Sequence, residues 1–183
     1  MAPNIRQSID GDGIAVLLID VVDRPMNVVT PDFLRELESC VDQLAANPAV
    51  RGAIVASAKT SFMAGADIKD MASMFERGIT AAEATRFSAN LNRIFRRIET
   101  CGKPFAAAIN GVALGAGFEL ALACHYRVLA DEAKGGVGFP EVKIGLIPGA
   151  GGTQRLPRLI GVTESLRLIT EGTQVAPAEA LRK

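Results

Sequence analysis

Residues 109–124 read INGVALGAGFELALAC, an apolar run with one carboxylate, Glu119, in its middle. Burying an ionised carboxylate alone costs on the order of several kcal/mol or more, so this residue asks for an explanation. Asn110–Gly111 is a turn dipeptide. Gly115 and Gly117 let the backbone bend and let a ligand approach the chain. The pattern predicts a helix that starts close to Ala116 and runs through Cys124. The first amides of such a helix have no partner within it and sit at the positive end of its dipole. They suit a developing oxyanion. Glu119, in the first turn, is then either a capping carboxylate or a group poised beside a bound anion.

Working outward, PFAAAIN (104–110) and YRVLA (126–130) read as strands on either side of that turn and helix. At the start of the chain, IRQSID and IAVLLID flank Gly11-Asp12-Gly13 and predict a hairpin. Phe33, Leu37, Val41 and Leu44 have helical spacing over 31–47, with Thr30 as N-cap and Pro31 at the first helical position. GAIVASA (52–58) is a buried strand, and Asp67 caps a short helix that ends at Gly78. A long helix spans 80–100, with Phe87, Leu91, Ile94, Phe95 and Ile98 on one face and Arg86, Arg93 and Arg97 on another. Residues 111–115 turn the chain, 135–157 are rich in glycine and proline, and helical spacing returns over 156–169. Repeated strand–turn–helix units with buried strands define an α/β domain.

Bulk properties narrow the function. The 183 residues carry 20 Lys plus Arg and 20 Asp plus Glu, a net charge of zero. That offers no electrostatic footing for nucleic acid or an anionic membrane. The arginine stripe then reads as a solvated helix face rather than an RNA contact. Cys40, Cys101 and Cys124 form no CxxC pair and suit reduced thiols in the cytosol. MAPNIRQSIDGDG, at residues 1–13, has no apolar core of a secretory signal. Residues 105–124 imitate a membrane span, with Gly111 and Gly115 at helix-pair spacing, but Asn110–Gly111 and Glu119 argue against it.

The usual catalytic motifs are absent: no GxxxxGK[ST], no GxSxG, and a leucine, Leu120, where a dinucleotide fingerprint needs its third glycine. The single histidine, His125, reads as a helix-end residue. What remains is carboxylates and backbone. SFMAGADIKD (61–70) repeats the strand–turn–helix look, with small Ala64, Gly65 and Ala66 exposing the main chain. In FPEVKIGLIPGAGGTQR (139–155), Glu141 follows Pro140 in a glycine-dense loop. Taken alone, the first is a plain loop and Glu141 a solvated glutamate. If they converge with Glu119, two amide-bearing turns and two carboxylates perform acid–base chemistry beside a carbonyl.

Three segments together, AGADIKDM, INGVALGAGFELALAC and FPEVKIGLIPGAGGTQRLPRLIG, resemble the signatures of the enoyl-CoA hydratase/isomerase (crotonase) superfamily, and the likeness runs from about Ile5 to the end. DRPMNVVTPDF (23–33) and Gly135–Gly136 make the chain most similar to the N-terminal domain of multifunctional fatty-acid β-oxidation α subunits. The resemblance implies a crotonase-like spiral of ββα units and an acyl-CoA thioester as substrate. It implies that the backbone N–H groups of Ala66 and Ala116 form an oxyanion hole and that Glu119 and Glu141 hold one water. Arg24, Met26, Ala64, Gly65, Asp67, Ile68 and Gly115 are the implied contacts to coenzyme A and substrate. Ala116 stands where many relatives have glycine, which leaves the donor intact if its φ suits a Cβ.

The implied reaction is hydration of the 2,3 double bond of a trans-2-enoyl-CoA, with no metal and no cofactor beyond the coenzyme A of the substrate. Both glutamates favour hydratase over a Δ3-Δ2-enoyl-CoA isomerase, which needs only the carboxylate of the Glu141 type. A non-enzymatic RNA-binding or scaffold role is the remaining alternative. Met71, Met74 and Phe75 pack in the core or line an acyl tunnel. A cytoplasmic location, a homo-oligomer, and a thiolase subunit within a β-oxidation complex are the implied context. Residues 1–183 read as one domain that stops short of the helices with which relatives continue, because Pro177 opens a helix and no Gly or Asn stop follows it.

Overall fold

The computed structural model describes residues 2–131 and 135–183. It opens with a hairpin of β1 (Ile5–Ile9) and β2 (Ile14–Ile19), paired antiparallel. Asp10 makes the turn: its Oδ1 accepts from the amides of Asp12 at 3.0 Å and Ile14 at 2.8 Å. Helix α1 (Pro31–Ala46) follows, with the Thr30 hydroxyl accepting from the Phe33 amide and Pro31 in the first turn. Its Phe33, Leu37, Val41 and Leu44 are buried, as their spacing predicts. Strand β3 (Gly52–Ser57) lies parallel to β2.

Two helices lead from β3 to the next strand. Asp67 caps α2 (Ile68–Glu76) by accepting from the amides of Lys69 and Asp70. Thr80 and Glu83 form a reciprocal capping box at the start of α3 (Ala81–Thr100). The apolar face of α3 buries Leu91, Ile94, Phe95 and Ile98. Its arginine face is tied to α1: Arg97 Nε lies 3.0 Å from Asp42, and Arg93 forms a two-pronged pair with Glu38. Strand β4 (Phe105–Ile109) then extends the sheet in parallel.

The apolar run 105–124 is no single span. It breaks into β4, a two-residue strand β5 (Ala113–Leu114) and helix α4 (Ala116–Ala123). Among the described residues no helix is long and apolar enough to cross a membrane. His125 follows α4, and its Nδ1 accepts from the Phe105 amide. Strand β6 (Tyr126–Leu129) closes a five-stranded sheet in the order β1-β2-β3-β4-β6.

The glycine-rich region is more ordered than its composition suggests. It holds β7 (Val137–Gly138), a 3-10 turn (Pro140–Ile144) and the start of α5 (Gly152–Ile160). The helical spacing over 156–169 is two helices, α5 and α6 (Val162–Glu171), broken at Gly161, whose φ is +84°. Strand β8 (Gln174–Val175) and α7 (Pro177–Ala180) complete the described chain. Two-residue strands carry no periodicity, which is why β5, β7 and β8 escape a reading by pattern.

These short strands position everything that follows. β5, β7 and β8 form a second sheet in that order. Leu114 pairs with Gly138 in parallel, and Ala113 pairs with Met63. The ladder therefore sets three loops side by side: 61–66, 112–115 and 137–141. Asn27 fixes the first of them. It is fully buried, its side chain accepts from Val21 N–H and donates to Ser57 Oγ and the Phe62 carbonyl, and its own carbonyl accepts from Ala64 N–H.

Candidate active site

Glu119 projects from the first turn of α4 and is 1% exposed. Its Oε1 accepts two main-chain hydrogen bonds, from Ala150 at 2.8 Å and Gly152 at 2.7 Å. Gly152 is the first residue of α5, so the carboxylate sits at the positive end of a second helix. It does not cap its own. Burial pushes the pKa of Glu119 up to about 7, against the opposing pull of the two amides and Arg155, and the nearby Glu141 raises it further. A Cβ on Gly152 would lie 3.0 Å from Glu119 Oε1 and would strike the Phe139 ring, so only glycine brings this amide so close.

Glu141 stands in the 3-10 turn after β7. It is half-buried, its Oε2 has no hydrogen-bond partner, and burial raises its pKa. The β5–β7 pairing brings it to α4: a Cβ on Gly115 would lie 2.7 Å from Glu141 Oε1. Gly115 has φ +52° and Gly65 has φ +96°, both open to glycine and strained for other residues. The two turns touch, since a Cβ on Gly65 would lie 3.6 Å from the Ala116 amide nitrogen.

Among the described residues, neither Ala66 N–H nor Ala116 N–H has an acceptor. Ala116 holds the first helical position of α4. Asp23 is the only non-glycine at positive φ among the described residues, so the Cβ of Ala116 causes no strain. Both alanines, both glutamates, Ala64, Gly65, Ile68 and Gly115 line one cavity of about 390 Å³. The convergence that composition left open is therefore present in the fold.

Apart from Ser88 and Lys143, the side chains that line the rest of the cavity are apolar. Met71, Met74 and Phe75 line it together with Phe87, Leu91 and Leu146. The core-packing alternative for the three α2 residues does not hold, because α2 buries no residue at all. Arg24, Met26 and Asp67 lie outside the lining. Desolvation works to raise the Asp67 pKa, but the two capping amides and the charge of Arg24, whose Nε donates to Asp67 Oδ2 at 2.9 Å, together lower it. Met26 is 45% exposed on the adjoining surface. Sequence reasoning passed over Glu99, Asn92 and Arg155, which surround the loop that holds Glu119. Arg155 stood in the quoted glycine-rich motif, but nothing there pointed to a partner 56 residues upstream.

A spiral α/β domain with this sheet order and these facing turns is a crotonase fold. It superposes on a crystal structure of enoyl-CoA hydratase from Bacillus anthracis with TM-score 0.87 and 34% identity, covering 98% of this chain and 67% of that one. For an enoyl-CoA hydratase structure from Geobacillus kaustophilus the TM-score is 0.89 and the identity 32%, over 100% and 66% of the two chains. A family model described as enoyl-CoA hydratase/isomerase matches residues 12–183, and the chain belongs to that family. Among similar curated proteins are fatty acid oxidation complex subunits alpha from Shewanella sp. (strain ANA-3), 43% identical, and Shewanella putrefaciens, 44% identical. Each match covers 93% of this chain, which spans about a quarter, 24%, of either relative.

Proposed function

We propose that this domain is an enoyl-CoA hydratase acting on trans-2-enoyl-CoA thioesters in fatty-acid β-oxidation. The thioester oxygen accepts from the amides of Ala66 and Ala116, which makes C3 electrophilic. A water held between the glutamates adds to C3, and Glu119 takes its proton. The negative charge that develops on the thioester oxygen is met by preoriented donors, each worth on the order of 3 kcal/mol in such sites. C2 then receives a proton from the Glu141 side. The observation that carries this reading is the state of Glu119: one oxygen anchored by two amides, a pKa of about 7, and a place on the wall of the cavity that also holds Glu141. A base poised near neutrality is the form that general base catalysis favours.

The same site suits Δ3-Δ2 isomerisation, because the unpartnered Glu141 Oε2 is placed to shuttle a proton. Hydration of crotonyl-CoA, followed by loss of the enoyl thioester absorbance, separates the readings. Glu119→Gln and Glu141→Gln are each expected to lower hydration by at least about a hundredfold. Retained isomerisation with hydration lost in Glu119→Gln, together with loss of both reactions in Glu141→Gln, would assign both to one site, and near-wild-type hydration in Glu119→Gln would exclude the base role. The names of the relatives, fatty acid oxidation complex subunit alpha, support a place in such a complex; a thiolase subunit as its partner there belongs to the proposal alone. The three free cysteines suit a cytoplasmic setting.

A further inference from the structure

Glu119 is held by a loop that has little means of holding itself. Residues 149–152 read GAGG, and their glycines leave the main chain free to take many shapes. The loop's restraint comes from α3. Asn92 Nδ2 donates to the Gly149 carbonyl at 2.6 Å, and the Ser88 hydroxyl donates to the same oxygen. About two helical turns further on, Glu99 binds Arg155 through two parallel hydrogen bonds of 2.8 and 3.0 Å. Arg155 turns its remaining nitrogen, Nη1, back to the Ala150 carbonyl at 2.8 Å. Ala150 N–H is one of the two amides on Glu119. The pair is not a loose surface contact, since the Arg155 side chain is 14% exposed and its guanidinium lies against Gly151, where a Cβ would collide with it.

We propose that Glu99, Arg155 and Asn92 are positioning residues for the proposed base, and that α3 sets the reach and the proton affinity of Glu119 through the 149–152 loop. This rests on the reading of Glu119 as the base of hydration. The chain of contacts runs from Glu99 to Arg155, then through residue Ala150, whose carbonyl accepts from Arg155 and whose N–H donates to the Glu119 carboxylate. None of the three positioning side chains touches the space where substrate sits. The charged groups facing Glu119 are Glu141 from the 3-10 turn and Arg155 from α5, with Glu99 of α3 behind Arg155 and Lys143 on the cavity wall. Cutting Arg155 removes a favourable charge and loosens an amide donor, so both effects move Glu119 toward the protonated form. A displacement of about 1 Å at a catalytic group costs on the order of a hundredfold in rate.

The test uses two readouts on Arg155→Met, Arg155→Lys and Asn92→Ala. A carbon-13 titration of the Glu119 carboxyl, assigned with Glu119→Gln, needs no activity. Its midpoint is expected to rise by about half a pH unit or more in Arg155→Met, with Arg155→Lys in between. In crotonyl-CoA hydration, kcat is expected to fall at least about tenfold in Arg155→Met with KM nearly unchanged, and the acid limb of the pH profile to move upward with the titration. Asn92→Ala, which leaves all charges in place, is expected to lower kcat with a smaller movement of the limb, and it serves if Arg155→Met does not fold. A folded Arg155→Met whose midpoint and kcat match the parent overturns the proposal, as does an unchanged Asn92→Ala should that be the folded variant. Absence of hydration in the parent would count against the hydratase reading alone, because the titration would still report the positioning.

Discussion

Glu119, the proposed base, costs the fold stability at neutral pH. Its folded pKa, about 7, lies above the ordinary carboxylate value of 4.5. The folded state therefore binds the proton more tightly than the unfolded chain. The stabilisation this gives is fully present below about pH 4.5 and is lost as pH rises through about 7, a change of about 3 kcal/mol if no other group intervenes. Glu119→Gln keeps an acceptor for the two amides and carries no charge. Its urea midpoint is expected to match the parent near pH 4.5 and to exceed it progressively up to pH 8, where the chemistry is gone. Equal midpoints across that range would mean the carboxylate is better solvated than its 1% exposure implies. The residue was legible because a lone acid in an apolar run is anomalous in any fold. Its partners were not, since Ala150 and Gly152 lie 31 and 33 residues downstream and contribute only main chain.

Among the elements, α1, α3 and β4 were plain in the sequence, since periodicity and caps agree there with the burial they achieve. α2 was predicted with its cap, but its role was not. Its apolar residues face the cavity, so with no buried side chain it is fastened mainly at its ends. Few buried contacts mean cheap local opening. Amides of α2 are expected to exchange with solvent faster than those of α3, and to slow markedly when a long-chain acyl-CoA fills the cavity. Exchange as slow as that of α3 without ligand would show that α2 has supports beyond those described. The 135–157 region was the hardest to read, because β7 and the 3-10 turn take their shape from neighbours rather than from their own residues.

For the molecule as a whole, the arginines of α3 resolve an ambiguity that composition left open. Arg93 and Arg97 pair with Glu38 and Asp42 of α1, so two of the three arginines of the stripe are already matched by acids and offer a polyanion little field. Exposed pairs of this kind contribute about 0–1 kcal/mol each. Single-stranded RNA is expected to bind no better at 50 mM than at 200 mM salt, whereas a chain making several phosphate contacts would weaken by about a thousandfold or more over that range. The placement of the Glu119 anchors has one more consequence, for biosynthesis. On the ribosome α4 is complete some thirty residues before Ala150 and Gly152 emerge, so a nascent domain that packs α4 early encloses a carboxylate with neither of its donors. Protonation or delayed docking of α4 would relieve that state, and the later 149–152 segment would then be the one that lets the buried carboxylate ionise.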